Sequence, residues 1–201
     1  MKSTIALVAI AGFAAAASAQ NFSLSISGAP ASVDATAGAT ITVDVIGDAD
    51  FGTHMLGGSF NMTSGNGMVS SMAWTAAGWS AFNTDGGYAG GGDYNAVIFG
   101  QLVIPGVPPF DVPAAGSELG SAIGSFQIVI AAGSAGTLDL VLGAESPFSL
   151  EVIDVNTGGT ANSSDSAATL TLNGASINVT PAPSALALMG LGGLVAGRRR
   201  R

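Results

Sequence analysis

Between Phe22 and Val179, apolar and polar residues alternate with a period of two in one short stretch after another. Such alternation turns one face of each stretch inward and leaves the other in water, as half-buried β-strands require. Residues 22–27, 41–45, 55–62, 68–74, 122–130, 138–142, 148–155, 168–172 and 175–179 read this way. Residues 96–104 are mostly apolar and read as a strand buried on both faces. Gly57 and Gly58, inside one of these strands, mark a bulge or a close backbone approach. Asn173-Gly174 predicts a hairpin between the last two strands by turn chemistry. Nine or ten short strands separated by turn residues, with no convincing helix, predict an all-β fold. Two stacked antiparallel sheets around an apolar filling, a β-sandwich of jelly-roll kind, fit best.

Both ends depart from this grammar. Met1-Lys2 is followed by an uncharged apolar run over residues 5–17 and by Ala17-Ser18-Ala19, a small-x-small cleavage site. Residues 1–19 therefore read as a secretory signal helix, cut by a signal peptidase after Ala19. At the other end, Pro181-Ala182-Pro183 precedes fourteen uncharged residues, 184–197, and then Arg198, Arg199, Arg200 and Arg201. As a helix those fourteen would rise about 21 Å, short of a bilayer core of roughly 30 Å. That length suits a brief stop in the membrane, with the arginines held on the cytoplasmic side. The order of Pro-Ala-Pro, the Met189-Gly190-Leu191-Gly192-Gly193-Leu194 stretch and the arginine run resembles a PEP-CTERM protein-sorting signal. Ala182 stands where that family most often has Glu. The resemblance implies processing by an exosortase-type membrane enzyme and delivery to the bacterial surface or extracellular polysaccharide, with a transient anchor in the membrane.

What lies between, residues 20–180, is one domain by length and large enough to bury a core without staples. It contains no cysteine and no Lys or Arg; all thirteen acidic residues of the chain lie in it, a formal charge of −13 with His54 neutral. A body without cations has nothing to neutralise phosphates, which excludes nucleic acid as a partner. The strand series also resembles a cohesin-like sandwich of carbohydrate-binding type. Residues 33–45, with Gly38 opening a Thr/Val strand, Gly57-Gly58-Ser59-Phe60-Asn61-Met62, and residues 119–128 followed by 136–140 carry the likeness. It implies an adhesive or scaffold fold and transfers no binding residue.

Residues 74–94 hold both tryptophans and both tyrosines of the chain, together with Phe82 and a glycine-rich turn of Gly86, Gly87, Gly90, Gly91 and Gly92. Displayed rings of Trp74, Trp79, Tyr88 and Tyr94 could stack on sugar faces, with carboxylates taking hydroxyl hydrogen bonds. The same tryptophans could instead plug one end of the core, the commoner fate of large rings. Asp154-Val155-Asn156, followed by Asp165, resembles half of a calcium loop but lacks the bidentate glutamate such a loop ends on. Asp48 and Asp50 are a weaker pair, and turn chemistry accounts for either group. Catalysis has little to draw on. His54 is the single histidine, no thiol or body lysine exists, and Glu118, Glu145 and Glu151 form no recognised pair. The expectation is a non-enzymatic, exported β-sandwich with a structural or adhesive role and no cofactor beyond a candidate Ca2+; the alternative is a carbohydrate-binding module using the 74–94 loop.

Overall fold

The computed structural model describes residues 20–181, which form fourteen β-strands and no helix. In chain order these are β1 (Asn21–Ser27), β2 (Ser32–Asp34), β3 (Ala39–Ala49), β4 (His54–Thr63), β5 (Val69–Ala76), β6 (Thr84–Asp85) and β7 (Tyr88–Gly90). Then come β8 (Asp93–Gly100), β9 (Ala122–Ile130), β10 (Gly136–Ala144), β11 (Glu151–Asp154), β12 (Gly159–Asn162), β13 (Thr169–Asn173) and β14 (Ala175–Thr180). The signal helix and the C-terminal membrane helix expected from the sequence lie outside the described residues.

The strands make two sheets. One runs β13-β1-β3-β9-β5; the other is built along β12-β11-β4-β10-β14-β2, with β8 on the free edge of β4 and β6 and β7 on β8. β4 is the hub of the second sheet. Its Phe60–Thr63 half pairs with β10 and its His54–Gly57 half with β11 on one edge, while β8 runs along the other. The period-two pattern does what it should. In β3, Ile41, Val43 and Val45 are buried while Thr40, Thr42 and Asp44 are exposed. Phe22, Leu24, Phe126, Ile128 and Ile130 complete the inner face of the first sheet. They meet Phe60 and Met62 of β4, Leu138, Leu140 and Leu142 of β10, and Ile177 and Val179 of β14. Burying each such side chain contributes about 1.5–3 kcal/mol.

The expected two-sheet sandwich is present, with four corrections. The sheets are mixed rather than purely antiparallel, because β1 pairs with β13 and β14 with β2 in parallel. The last two strands are not a hairpin: β13 ends the first sheet, whereas β14 lies in the second against β10. At Gly174 the chain crosses between layers, and a Cβ there would sit 2.2 Å from the carbonyl oxygen of Leu140. The glycine serves close backbone approach, not a turn. The apolar run at 96–104 is not a strand buried on both faces: β8 stops at Gly100, and Leu102 and Ile104 are exposed. Likewise only Glu151–Asp154 of the expected 148–155 strand pairs, and Phe148 lies outside it, exposed. Gly57 and Gly58 do mark a close approach, since Cβ atoms there would meet Phe99 O at 2.7 Å and Leu150 Cδ2 at 2.5 Å.

Gly174→Ala should lower unfolding free energy in urea titrations by about 1–3 kcal/mol, the usual cost of forcing extra volume into a packed site. Gly67→Ala, where the added methyl meets nothing within 4 Å, should stay within about 0.5 kcal/mol of the parent. Equal stability of the two variants would mean that the crossover is not packed as described.

Candidate functional site

The 74–94 stretch folds back on the sandwich instead of standing free of it. β6 and β7 add to the outer edge of β8, and the aromatic rings point inward from there. Trp74 lies 4.8 Å from Phe126 and 5.4 Å, edge-on, from Phe60 between ring centroids. Gly124 gives it room, because a Cβ there would fall 2.3 Å from the indole. Its Nε1 is buried with no hydrogen-bond partner. Trp79 is buried, donates from Nε1 to Ala122 O at 3.0 Å, and meets Phe99 edge-on.

The tyrosines stitch sheet edges together. β5 is the edge of its sheet. Tyr88, half-buried, donates its hydroxyl to Val69 O at 2.7 Å and accepts from Gly92 N. Tyr94, buried, accepts from Trp74 N at 3.3 Å and donates to Asp85 Oδ1 at 2.7 Å. Burial and the neighbouring Asp85 carboxylate, both hostile to a phenolate, push the Tyr94 hydroxyl up to about 12. The rings of Trp79 and Tyr94 therefore offer no face to a ligand, and those of Trp74 and Tyr88 are half-covered by the core. In this stretch Phe82 alone among the aromatics is largely exposed, at 59%.

The acidic candidates are engaged locally. Asp154 Oδ1 accepts from Asn156 N and Nδ2, and Oδ2 from the Thr157 hydroxyl. The Asn156 amide, then the Thr157 hydroxyl, hold the Asp154 carboxyl below its ordinary value. Asp165 instead caps Asn162 N. Asp154 pairs with Gly159 and Asn162 with Glu151, so the two groups sit at opposite ends of one hairpin, about 10 Å apart along the strand. The three candidate ligands do not converge, and among the described residues no three His, Asp or Glu side chains gather as a metal site would need. Asp50 accepts from the backbone and side chain of Asn21, which lowers its carboxyl, and Asp48 accepts from Ala49 N. His54 Nδ1 lies 2.9 Å from Thr53 Oγ1, and its Nε2 lies 3.9 Å from Glu118 Oε1. Thr53 Oγ1 in turn donates to Ile153 O and accepts from Val155 N. Beside a hydroxyl tied twice to backbone, His54 clasps a loop to the start of β4.

A cleft of about 560 Å3 opens on the outer face of the second sheet. Leu56 of β4 and Ile98 of β8 line it from the sheet, and Phe82, Leu102 and Phe148 from the surrounding loops. Gln101, Glu151, Thr160 and Asn162 supply its polar lining. Phe148 is 54% exposed and Leu102 47%. The loops are pinned. Ser59 Oγ donates to Glu145 O and Phe148 O and accepts from Phe148 N. Gln101 donates from Nε2 to Met55 O and accepts at Oε1 from Ala114 N. Sequence reasoning did not single out this cleft. Its signal was an apolar run that continues past Gly100 into Ile104-Pro105-Gly106-Val107-Pro108-Pro109-Phe110, where prolines bar a central strand.

No family model matches the chain, and no curated protein matches it in sequence. Among solved structures it is similar to the seventh ScaB type I cohesin from Pseudobacteroides cellulosolvens, with TM-score 0.48 and 11% identity over 82% of this chain and 94% of that one. It is also similar to a chain of the Coh-OlpA-Doc918 type I cohesin–dockerin complex from Clostridium thermocellum (TM-score 0.47, 11% identity, 80% and 99% covered). A non-cellulosomal cohesin from Archaeoglobus fulgidus follows (0.42, 11%, 83% and 95%). These neighbours are of the kind the strand series was said to resemble. At such scores no partner and no binding residue passes from them to this chain.

Tyr94→Phe removes the two edge hydrogen bonds and should cost about 0.5–1.5 kcal/mol at neutral pH. The alkaline limb is diagnostic. Unfolded tyrosine ionises near 10 and folded Tyr94 at about 12, so between those values the unfolded state loses the proton first. The contribution is intact below pH 10 and is lost as pH rises toward 12. Melting curves across that range should fall less steeply in Tyr94→Phe than in the parent; parallel slopes would place the hydroxyl in solvent.

Proposed function

We propose that this protein is an exported, non-enzymatic β-sandwich of the bacterial surface or extracellular matrix, which acts by docking other macromolecules on its outer-face cleft. Residues 1–19 would direct export and be removed by signal peptidase. Residues 181–201 would hold the chain briefly in the membrane until an exosortase-type enzyme acts on it. The single observation that carries the docking role is the apolar cleft itself. Phe82, Leu102 and Phe148 stand exposed around it on pinned loops, and large apolar side chains gathered around one concavity on a rigid frame favour recognition over folding.

The anionic body supports extracellular solubility. The chain leaves β14 at Pro181, far from the cleft. Val179 lies opposite Gly136, β10 runs eight residues on to Ala144 opposite Phe60, and Gly57 is three more along β4. Eight plus three strand steps make about 37 Å. A C-terminal anchor would therefore hold the cleft away from the membrane, facing what surrounds the cell. A second reading, polysaccharide binding, rests on the pair of exposed rings Phe82 and Phe148 beside Glu151, Thr160 and Asn162, a stacking surface with hydroxyl-binding groups.

Mass spectrometry of the exported protein should find Gln20 as the first residue and the arginine tail removed; an intact chain in the cytosol of its host would end this reading. Purified protein should bind the isolated envelope or matrix of its host, and Phe148→Glu should weaken that binding at least about tenfold, as loss of a central anchor does, with its near-UV circular dichroism unchanged. If soluble glycans compete for the site and Phe82→Ala abolishes their binding, the partner is polysaccharide.

A further inference from the structure

The chain that lines the cleft at Leu102 and Val103 runs on into an exposed apolar loop. Residues 102–113 form a tongue that leaves the sheet at Gln101 and returns at Ala114, both legs clamped by the Gln101 side chain to each other and to β4. Its tip is closed on itself: Ile104 N donates to Phe110 O, Val107 N to Ile104 O and Phe110 N to Val107 O. Five large apolar side chains of this tongue, Leu102, Ile104, Val107, Phe110 and Val112, are 40–69% exposed. Among the described residues twenty-eight hydrophobic side chains are buried, whereas these five stand out of the core on one loop.

The exposed area is what a partner of the same size needs. Three half-exposed phenylalanines, Phe82, Phe110 and Phe148, offer about 300 Å2. The four half-exposed aliphatic side chains add about 200 Å2. A stable interface covers about 800 Å2 per partner, some 56–65% of it apolar, or about 450–520 Å2. The face is also poor in charge. Of thirteen acidic residues in the chain, Glu151 lines the cleft and Asp111 lies on the tongue. Among the described residues there is no Lys or Arg to meet anionic lipid headgroups, so a membrane finds no counter-charge here.

An exposed apolar loop that shares Leu102 with an apolar cleft can meet the same pair on a second copy across a two-fold axis. We infer that two copies associate face to face, the tongue of each lying in the cleft of the other. The inference rests on reading the cleft as a docking surface and names its occupant as a second copy of this chain. The pinned legs and closed tip mean that little ordering is required on docking, and isologous contact closes at two copies. Because each body carries −13, the partners repel at long range; added salt screens that repulsion and tightens the pair. A cationic partner would behave in the opposite sense.

Sedimentation equilibrium on the full chain and on its exported form decides the matter. The expected result is a monomer–dimer equilibrium that strengthens between low and high salt. Phe110→Glu, at the tongue tip, should weaken it at least tenfold, while Val141→Glu, exposed on β10 outside the cleft lining, should leave it unchanged. A monomer at all concentrations, an unchanged equilibrium in Phe110→Glu, or association that weakens with salt overturns the dimer. If Phe148→Glu still abolishes envelope binding by a protein that stays monomeric, the docking reading survives and the second copy as occupant does not. Should the full chain associate but the exported form remain monomeric, the contact belongs to the tail and the inference falls.

Discussion

Four rings hold the two layers together. Phe126, from β9 of the first sheet, meets Phe60 of β4 and Tyr94 of β8 across the core, at centroid distances of 6.2 and 5.0 Å, and Trp74 of its own sheet at 4.8 Å. Edge-to-face pairs of this kind contribute about 0.5–1.5 kcal/mol each beyond the area they bury. Phe60 and Tyr94 also belong to the strands that meet at the hub of the second sheet. The cluster therefore fixes where the sheets lie on each other and, through β4 and β8, where the outer-face cleft opens. Without disulfides, this apolar contact carries the inter-sheet register.

The consequence for function is a division of labour among aromatic residues. Those adjacent to the cluster are drawn inward, and their polar atoms close sheet edges. Edge strands with unmet backbone groups invite pairing with other chains, and the hydroxyls of Tyr88 and Tyr94 occupy part of that edge on β5. The rings left in water, Phe82, Phe110 and Phe148, belong to loops that no strand can absorb. Phe82 and Phe148 line the outer-face cleft, and Phe110 lies on the tongue that runs on from it. A surface built this way is held by the frame without sharing its stabilising contacts.

Charge acts over longer range. With no Lys or Arg among the described residues, acidic side chains are met by backbone amides, side-chain amides and hydroxyls. Asp34 and Asp154 accept local donors in turns, and Asp50 accepts from Asn21 of β1. Such groups shape loops but leave the overall negative field intact. That field keeps folded copies apart until a short-range apolar contact outweighs it, which makes ionic strength the natural control on any association of this body with itself.

The sequence pattern determined the longer strands of the body, though not the short β2, β6, β7 and β12, and with them the two-sheet class, because a period of two admits one buried face and no helix. It located β9 to the residue and most others within two or three. The lack of cations and thiols was equally plain in the sequence, as were the atypical ends. Partner choice was not. Asn173-Gly174 has the chemistry of a hairpin turn, yet the chain crosses there to the other sheet, since pairing depends on what else each strand can bury against. Trp79 and Tyr94 looked like rings for a ligand and became core, because a side chain faces inward or outward only relative to a second layer that local sequence does not contain. The cleft is assembled from β4, β8, β11 and loops far apart in the chain, and only the tertiary fold brings Phe82 and Phe148 to the same surface.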